Sequence, residues 1–207
     1  MSEIVLVHGL WNRGWCMTLM ARRLRVRGHH VSALSYPTRS NSLQGHADEL
    51  HNFIVGNPSN EINLVGHSLG GLVILNMLSR YDELPPGRVV LMGSPVAGSS
   101  VVKRLEKIPG QKLLFGEIRD FLLEGFRHIP RHHETGMIRG TRSMGLGRIT
   151  GQHDEPNDGT VTVSETQLDG LTDSIELPVS HSEMLVSAEV VNQVEQFLLH
   201  GKFKISH

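Results

Sequence analysis

A serine hydroxyl is a poor nucleophile at neutral pH and becomes useful where a base can take its proton. The segment Gly66-His67-Ser68-Leu69-Gly70-Gly71 offers a serine placed for that chemistry. The Gly-x-Ser-x-Gly spacing suits a sharp turn from strand to helix, with the serine strained at its tightest point. Glycines two residues before and after remove Cβ atoms that would collide there. The flanks agree, because Ile62–Val65 is a short apolar run and Leu72–Leu78 reads as a buried helix. The chemistry would be acyl transfer through a covalent acyl-enzyme on Ser68. The alternative is an ordinary glycine-rich strand–helix turn.

The base must come from elsewhere. There are 13 histidines, so composition does not choose one, but order does. For a serine on such a turn the partners follow as Ser, then Asp or Glu, then His. His181 follows the β-rich run Ser174–Val179 and precedes an amphipathic tail. His153 is the rival but lies before that run. His67 is too near Ser68 in sequence to reach back as its base and reads instead as a substrate contact. The acid is expected after the penultimate strand, where Asp154, Glu155 and Asp158 lie. Asp158 sits in the turn sequence Asn157-Asp158-Gly159 ahead of a β-branched run. It would accept the His181 ring N–H and fix its tautomer; Asp154 is the alternative. An oxyanion needs donors, worth about 3 kcal/mol each. The backbone N–H of Leu69 and that of Leu10, in His8-Gly9-Leu10-Trp11, are the candidates. Trp11 reads as pocket lining, and Trp15 as pocket lining or core. No H-E-x-x-H pair is present, and neither metal nor cofactor is expected.

These residues need a scaffold of alternating strands and helices. Short apolar runs at Ile4–Val7, His30–Ser35, Ile62–Val65, Val89–Met92 and Ser174–Val179, with one more near Ile149, alternate with helical patterns. Gly14–Arg27 and Leu43–Val55 are two such patterns, and Ser182–Leu199 is the last. The alternation predicts an α/β fold, a mostly parallel central sheet with helices on both faces. Its C-terminal edge would carry the site. The stretch 97–146 breaks the rhythm with an apolar set from Leu113 to Phe126, and reads as a helical insertion: a lid or cap, or an extra helix packed on the sheet. One domain over 1–207 is expected.

Lys plus Arg is 20 and Asp plus Glu 21, a net charge of −1 that gives no reason to expect nucleic acid as partner. The single cysteine, Cys16, excludes an intrachain disulfide. No run approaches the ~18 apolar residues of a membrane span. The first residues lack the pattern of a secretory signal, so a cytoplasmic location is expected.

Taken together, His8-Gly9 after the first strand, Gly-His-Ser-Leu-Gly-Gly at 66–71, Asn-Asp-Gly at 157–159 and His181 before a last helix resemble the α/β-hydrolase superfamily. Within it the chain is similar to small bacterial lipases and esterases. The resemblance implies hydrolysis of a small carboxylic ester, with an apolar acyl group, on a Ser68–His181–Asp158 triad. The superfamily's leading antiparallel strands are absent, which makes this a compact version. A thioesterase, amidase or acyltransferase would use the same triad. A binding protein on a hydrolase scaffold is the alternative of another class. The oligomeric state is not legible.

Overall fold

Strands such as Ile4–Val7 and Val89–Met92 are apolar at consecutive positions, which calls for burial on both faces. The computed structural model describes residues 2–38, 41–105, 116–130, 133–144 and 155–204. The strands are β1 (Ser2–Val7), β2 (His30–Leu34), β3 (Glu61–His67), β4 (Val89–Met92), β5 (Thr135–Gly140) and β6 (Asp173–Leu177). They form one sheet in the order β2-β1-β3-β4-β5-β6. Every pairing is parallel.

A 3₁₀ turn at Gly14–Met17 leads into α1 (Thr18–Val26), which joins β1 to β2; α2 (Leu43–Gly56) joins β2 to β3, and α3 (Leu69–Leu78) follows β3 directly. Between β4 and β5 lie α4 (Ser100–Leu105) and α5 (Arg119–Glu124), and α6 (Ala188–His200) comes last. The period of two along β1 sorts the helices. Val5 and Val7 face the core built with α2 and α3. Ile4 and Leu6 face the core built with α1 and α6. Every residue of α3 is buried, as a sequence apolar at every position but Asn76 requires. Ser42 caps α2 by accepting from the Gly45 N–H, and Ser187 caps α6 by accepting from the Val190 N–H. Gly28, at φ +92°, ends the turn after α1.

Three expectations are corrected. The fifth strand is Thr135–Gly140, not a run near Ile149, which lies outside the described residues, as do Leu113–Phe115. The stretch 97–146 is therefore not purely helical: it contains an inner strand of the sheet. Of its apolar set, Ile118 and Leu122 are buried in the core beside α3, which is the behaviour of a packed helix. Trp15 is not core, because 73% of it is exposed.

Candidate active site

The sheet order reverses at β1, whose two neighbours are β2 and β3. In open parallel sheets the crevice beyond the strands' C-terminal ends at such a point is the natural place for a ligand. β3 ends in His67, and Ser68 follows at φ 54°, ψ −121°. Such a backbone is strained for a residue with a Cβ, at a cost of about 1–3 kcal/mol. The glycine spacing is now explained by contact distances. A Cβ on Gly66 would lie 2.6 Å from the Gly71 nitrogen, and one on Gly70 would lie 2.1 Å from the Val7 carbonyl oxygen. The turn is held by the Ser68 N–H, which donates to the Met92 carbonyl at 2.9 Å.

Asp158 and His181 meet across the chain. The His181 Nδ1–H donates to Asp158 Oδ2 at 2.6 Å, and the His181 backbone N–H donates to the Asp158 carbonyl at 2.9 Å. The other carboxylate oxygen, Oδ1, accepts from the N–H groups of Thr160 at 2.9 Å and Val161 at 2.7 Å. Asp158 is 1% exposed, and both of its carboxylate oxygens are engaged. With Nδ1 occupied, the ring has only Nε2 free for proton transfer. Asp154 and His153 lie outside the described residues.

Ser68 and this pair converge on one short piece of backbone. Ser68 is bonded to Met92, and a Cβ on the next residue, Gly93, would lie 2.9 Å from Asp158 Oδ2 and 3.1 Å from His181 Nδ1. Among the described residues no hydrogen bond joins Ser68 Oγ to the His181 ring.

Beside Ser68, a Cβ on Gly9 would stand 3.0 Å from the serine's own Cβ, so the loop after β1 presses on Ser68. Gly9–Asn12 is a turn closed by the Asn12 N–H to the Gly9 carbonyl at 3.3 Å. Trp11 sits in it at φ 60°, a conformation rare for so bulky a residue. Its N–H donates to Thr38 Oγ1 at 3.1 Å. Among the described residues the Leu10 and Leu69 N–H groups have no hydrogen-bond partner. Leu69 is the first residue of α3, where helical N–H groups are unsatisfied and the dipole favours negative charge.

The loop is anchored from below. The His8 Nδ1–H donates to the Gly9 carbonyl at 3.0 Å, and Nε2 accepts from the Tyr36 N–H at 3.4 Å. The Tyr36 hydroxyl donates to the His8 carbonyl at 2.7 Å, and the two rings stack at 4.5 Å. These partners call for a neutral His8, and burial accordingly pushes its pKa down.

His67 was expected to touch substrate; the structure gives its ring other partners. It is buried, and its Nε2–H donates to the His181 carbonyl at 2.9 Å, the rings lying 4.6 Å apart. Burial, reinforced by the neighbouring His181, lowers its pKa to about 3. Sequence reasoning missed this role, and it missed Thr38 and the His8–Tyr36 clamp. The one available signal was that β2 must lie beside β1, which brings the residues after each strand together. Among the described residues no cluster of His, Cys, Asp and Glu could hold a metal, and no helix is long and apolar enough to cross a membrane.

Comparison with known proteins places this geometry in a family. A carbendazim-hydrolysing esterase of Nocardioides sp. (strain SG-4G) is 34% identical over 92 residues, which are 39% of this chain and 37% of that protein. A probable esterase, PIR7A, of Oryza sativa subsp. indica is 32% identical over 117 residues, 51% of this chain and 44% of its own length. The chain thus matches less than half the length of either relative. The crystal structure of Bacillus licheniformis lipase BlEst2 in mature form shares the fold, with a TM-score of 0.66 at 18% identity, covering 96% of this chain and 91% of that one. Residues 4–173 match the model of the alpha/beta hydrolase family, and this chain belongs to that family.

Proposed function

We propose that the protein is a serine hydrolase that cleaves carboxylic esters, with Ser68 as nucleophile, His181 as base and Asp158 as its orienting acid. The observation that carries the reading is the 2.6 Å Asp158–His181 hydrogen bond, set against the same Met92-Gly93 backbone as a serine strained at φ 54°. In the reaction Ser68 Oγ attacks the ester carbonyl carbon while His181 Nε2 takes its proton. The carbonyl oxygen becomes an oxyanion and is held by the N–H groups of Leu10 and Leu69. Trp11 is not the donor, since its N–H is given to Thr38 Oγ1; its ring lines the entrance. Asp158 stabilises the imidazolium. The tetrahedral intermediate collapses, the C–O bond to the alcohol breaks, and His181 protonates the leaving oxygen. Water, deprotonated by the same nitrogen, then attacks the acyl-enzyme, and the acid is released with Ser68 reprotonated. His67 holds the base from beneath through the His181 carbonyl instead of touching substrate. Being neutral, it adds no second charge beside the imidazolium. The apolar residues Leu10 and Trp11 favour an apolar acyl group.

The test is turnover of p-nitrophenyl esters from acetate to palmitate by the wild type and by Ser68→Ala, with fluorophosphonate labelling in parallel. Turnover and label that both vanish in the variant are expected. Label on Ser68 without turnover of any ester would retain the triad and overturn the substrate class. Neither label nor turnover in the wild type would overturn the hydrolase reading.

A further inference from the structure

Between Glu3 and Asp48 the chain has no acidic residue, yet it carries arginines at 13, 22, 23, 25, 27 and 39. In a protein of net charge −1 that is a strong local excess. The structure gathers most of it on the outer side of α1. The inner side of that helix is ordinary, with Met17, Met20, Ala21 and Leu24 buried against the sheet. The outer side is not. Leu19, Arg22 and Val26 follow one another at steps of three and four residues along α1, which is one face of a helix, and Trp15 stands in the 3₁₀ turn just ahead of it. Trp15 is 73% exposed and Val26 82%. Next to them Val186, ahead of α6, is 49% exposed. Leu19, Arg22, Arg23, Val26, Arg27 and Ala188 line an open groove of about 320 Å³ between the two helices.

Single exposed apolar side chains are common on soluble proteins, whereas a contiguous set interleaved with cations is a recognition surface. Arg27 pairs with Glu195 at 2.7 Å, and His29 bonds the same carboxylate. Arg23 donates to the Val186 carbonyl, and Arg25 to the Val31 carbonyl. Those bonds to carbonyls fix the guanidinium groups without neutralising them. Arg22 has no ion-pair partner among the described residues. Asn192 also accepts from Arg27 and donates to the exposed Glu189, next to Ala188 of the groove, so among the described residues Glu195 and Glu189 stand against four arginines of α1 and its end.

A stripe of Trp, Leu and Val flanked by Arg, with no acid on its own helix, has the chemistry of an interfacial helix: apolar side chains enter the headgroup–acyl boundary while arginines meet anionic headgroups. We propose that the α1 face docks the protein onto anionic lipid surfaces. A symmetric pairing of two copies across this face would oppose arginine to arginine and is disfavoured by the same charge. Nucleic acid would use the cations but leave Trp15, Leu19 and Val26 without a partner. Trp15 lies four residues beyond Trp11 of the turn pressed against Ser68. The docking itself does not depend on the esterase reading.

The experiment is co-sedimentation of the full chain with vesicles of phosphatidylcholine alone and of equal parts phosphatidylcholine and phosphatidylglycerol. Binding to the anionic vesicles only is expected, with loss at ~1 M salt, where charges are screened beyond about 3 Å. Arg22→Glu changes the surface by two charges and should weaken binding by about 30-fold. Val26→Asp should weaken it at least as much. Both positions are exposed, so melting temperature and turnover of a soluble short-chain ester should match the wild type. Equal binding to both vesicles, or no effect of either variant, overturns the proposal. So does sedimentation velocity showing a dimer that Val26→Asp dissociates, because the face would then be a contact between copies. Failure of ester turnover alongside intact vesicle binding would refute the proposed function and leave the docking face standing.

Discussion

Asp158→Asn isolates the role of the acid, because the structure dictates which way the new amide must point. Oδ1 of Asp158 accepts from two backbone N–H groups, those of Thr160 and Val161, at 2.9 and 2.7 Å. An asparagine there keeps those bonds only with its carbonyl oxygen in that place. Its NH₂ then takes the place of Oδ2, 2.6 Å from His181 Nδ1. Turning the amide over would set NH₂ against two N–H donors, at a cost of about 1–3 kcal/mol for each bond lost. The amide is therefore locked with a donor facing Nδ1, and Nδ1 must become the acceptor. The ring proton moves to Nε2, the nitrogen that has to receive the Ser68 proton. Wrong-tautomer variants of such triads lose about 10⁴-fold in kcat, or about 5.5 kcal/mol of transition-state stabilisation. The fold should hardly notice, since every hydrogen bond survives and only the one to His181 Nδ1 reverses its direction. The assay is kcat/KM on p-nitrophenyl butyrate together with the rate of fluorophosphonate labelling and a urea titration. A loss of about 10⁴ in the first two at unchanged stability is expected. A variant within tenfold of the wild type refutes the tautomer argument, and a comparable loss in Asp154→Asn instead would move the acid to that position.

Other perturbations probe the supports. Thr38→Val removes the acceptor of the Trp11 N–H in a turn already strained at φ 60°; about 1–2 kcal/mol should be lost, appearing in kcat more than KM, and an unchanged kcat would dissociate this turn from the oxyanion. Gly70→Ala sets a Cβ 2.1 Å from the Val7 carbonyl, where only backbone can give way, so unfolding free energy should drop by at least about 3 kcal/mol; a variant melting with the wild type would mean the elbow is not built as described. His67→Phe keeps the ring but strips the His181 carbonyl of its donor, and about tenfold should be lost from kcat with KM held; equal activity would make the 2.9 Å bond incidental. The same residue fixes a pH dependence. Its pKa falls from 6.5 to about 3 on folding, so the unfolded chain binds the extra proton, and the stability it leaves intact above pH 6.5 is lost as pH falls toward 3. From pH 7 to 5 the wild type should lose about 2 kcal/mol through His67 alone, at 1.36 kcal/mol per pH unit. His67→Phe should lose that much less over the same interval in urea titrations, and parallel acid limbs would contradict the burial of a neutral ring.

What was legible in the sequence was whatever a short segment decides by itself. The Gly-x-Ser-x-Gly turn was legible because its spacing is a local pattern, with the Gly66 collision falling on Gly71 itself, and Val89–Met92 because it is a four-residue apolar run between turns. Order along the chain carried the reading to His181 and Asp158, since each follows a strand whose end must lie at the same edge of the sheet. The fifth strand was misplaced because Thr135-Gly136-Met137-Ile138-Arg139-Gly140 breaks the apolar run with two glycines and an arginine. The Gly136 position has no room for a side chain: a Cβ there would meet the Phe197 ring at 2.7 Å, a contact with a helix some sixty residues later in the chain. The same limit explains His67, whose neighbour in sequence is Ser68 but whose partner in space is a carbonyl 114 residues away. Thr38 and Trp11, 27 residues apart, meet only because β1 and β2 pair in one register. Each missed support is a side chain bonded to distant backbone, and backbone carries no residue-type signature. A sequence can thus point to candidate reactive side chains before it reveals what aims them, and the aiming is what Asp158→Asn, Thr38→Val and His67→Phe would measure.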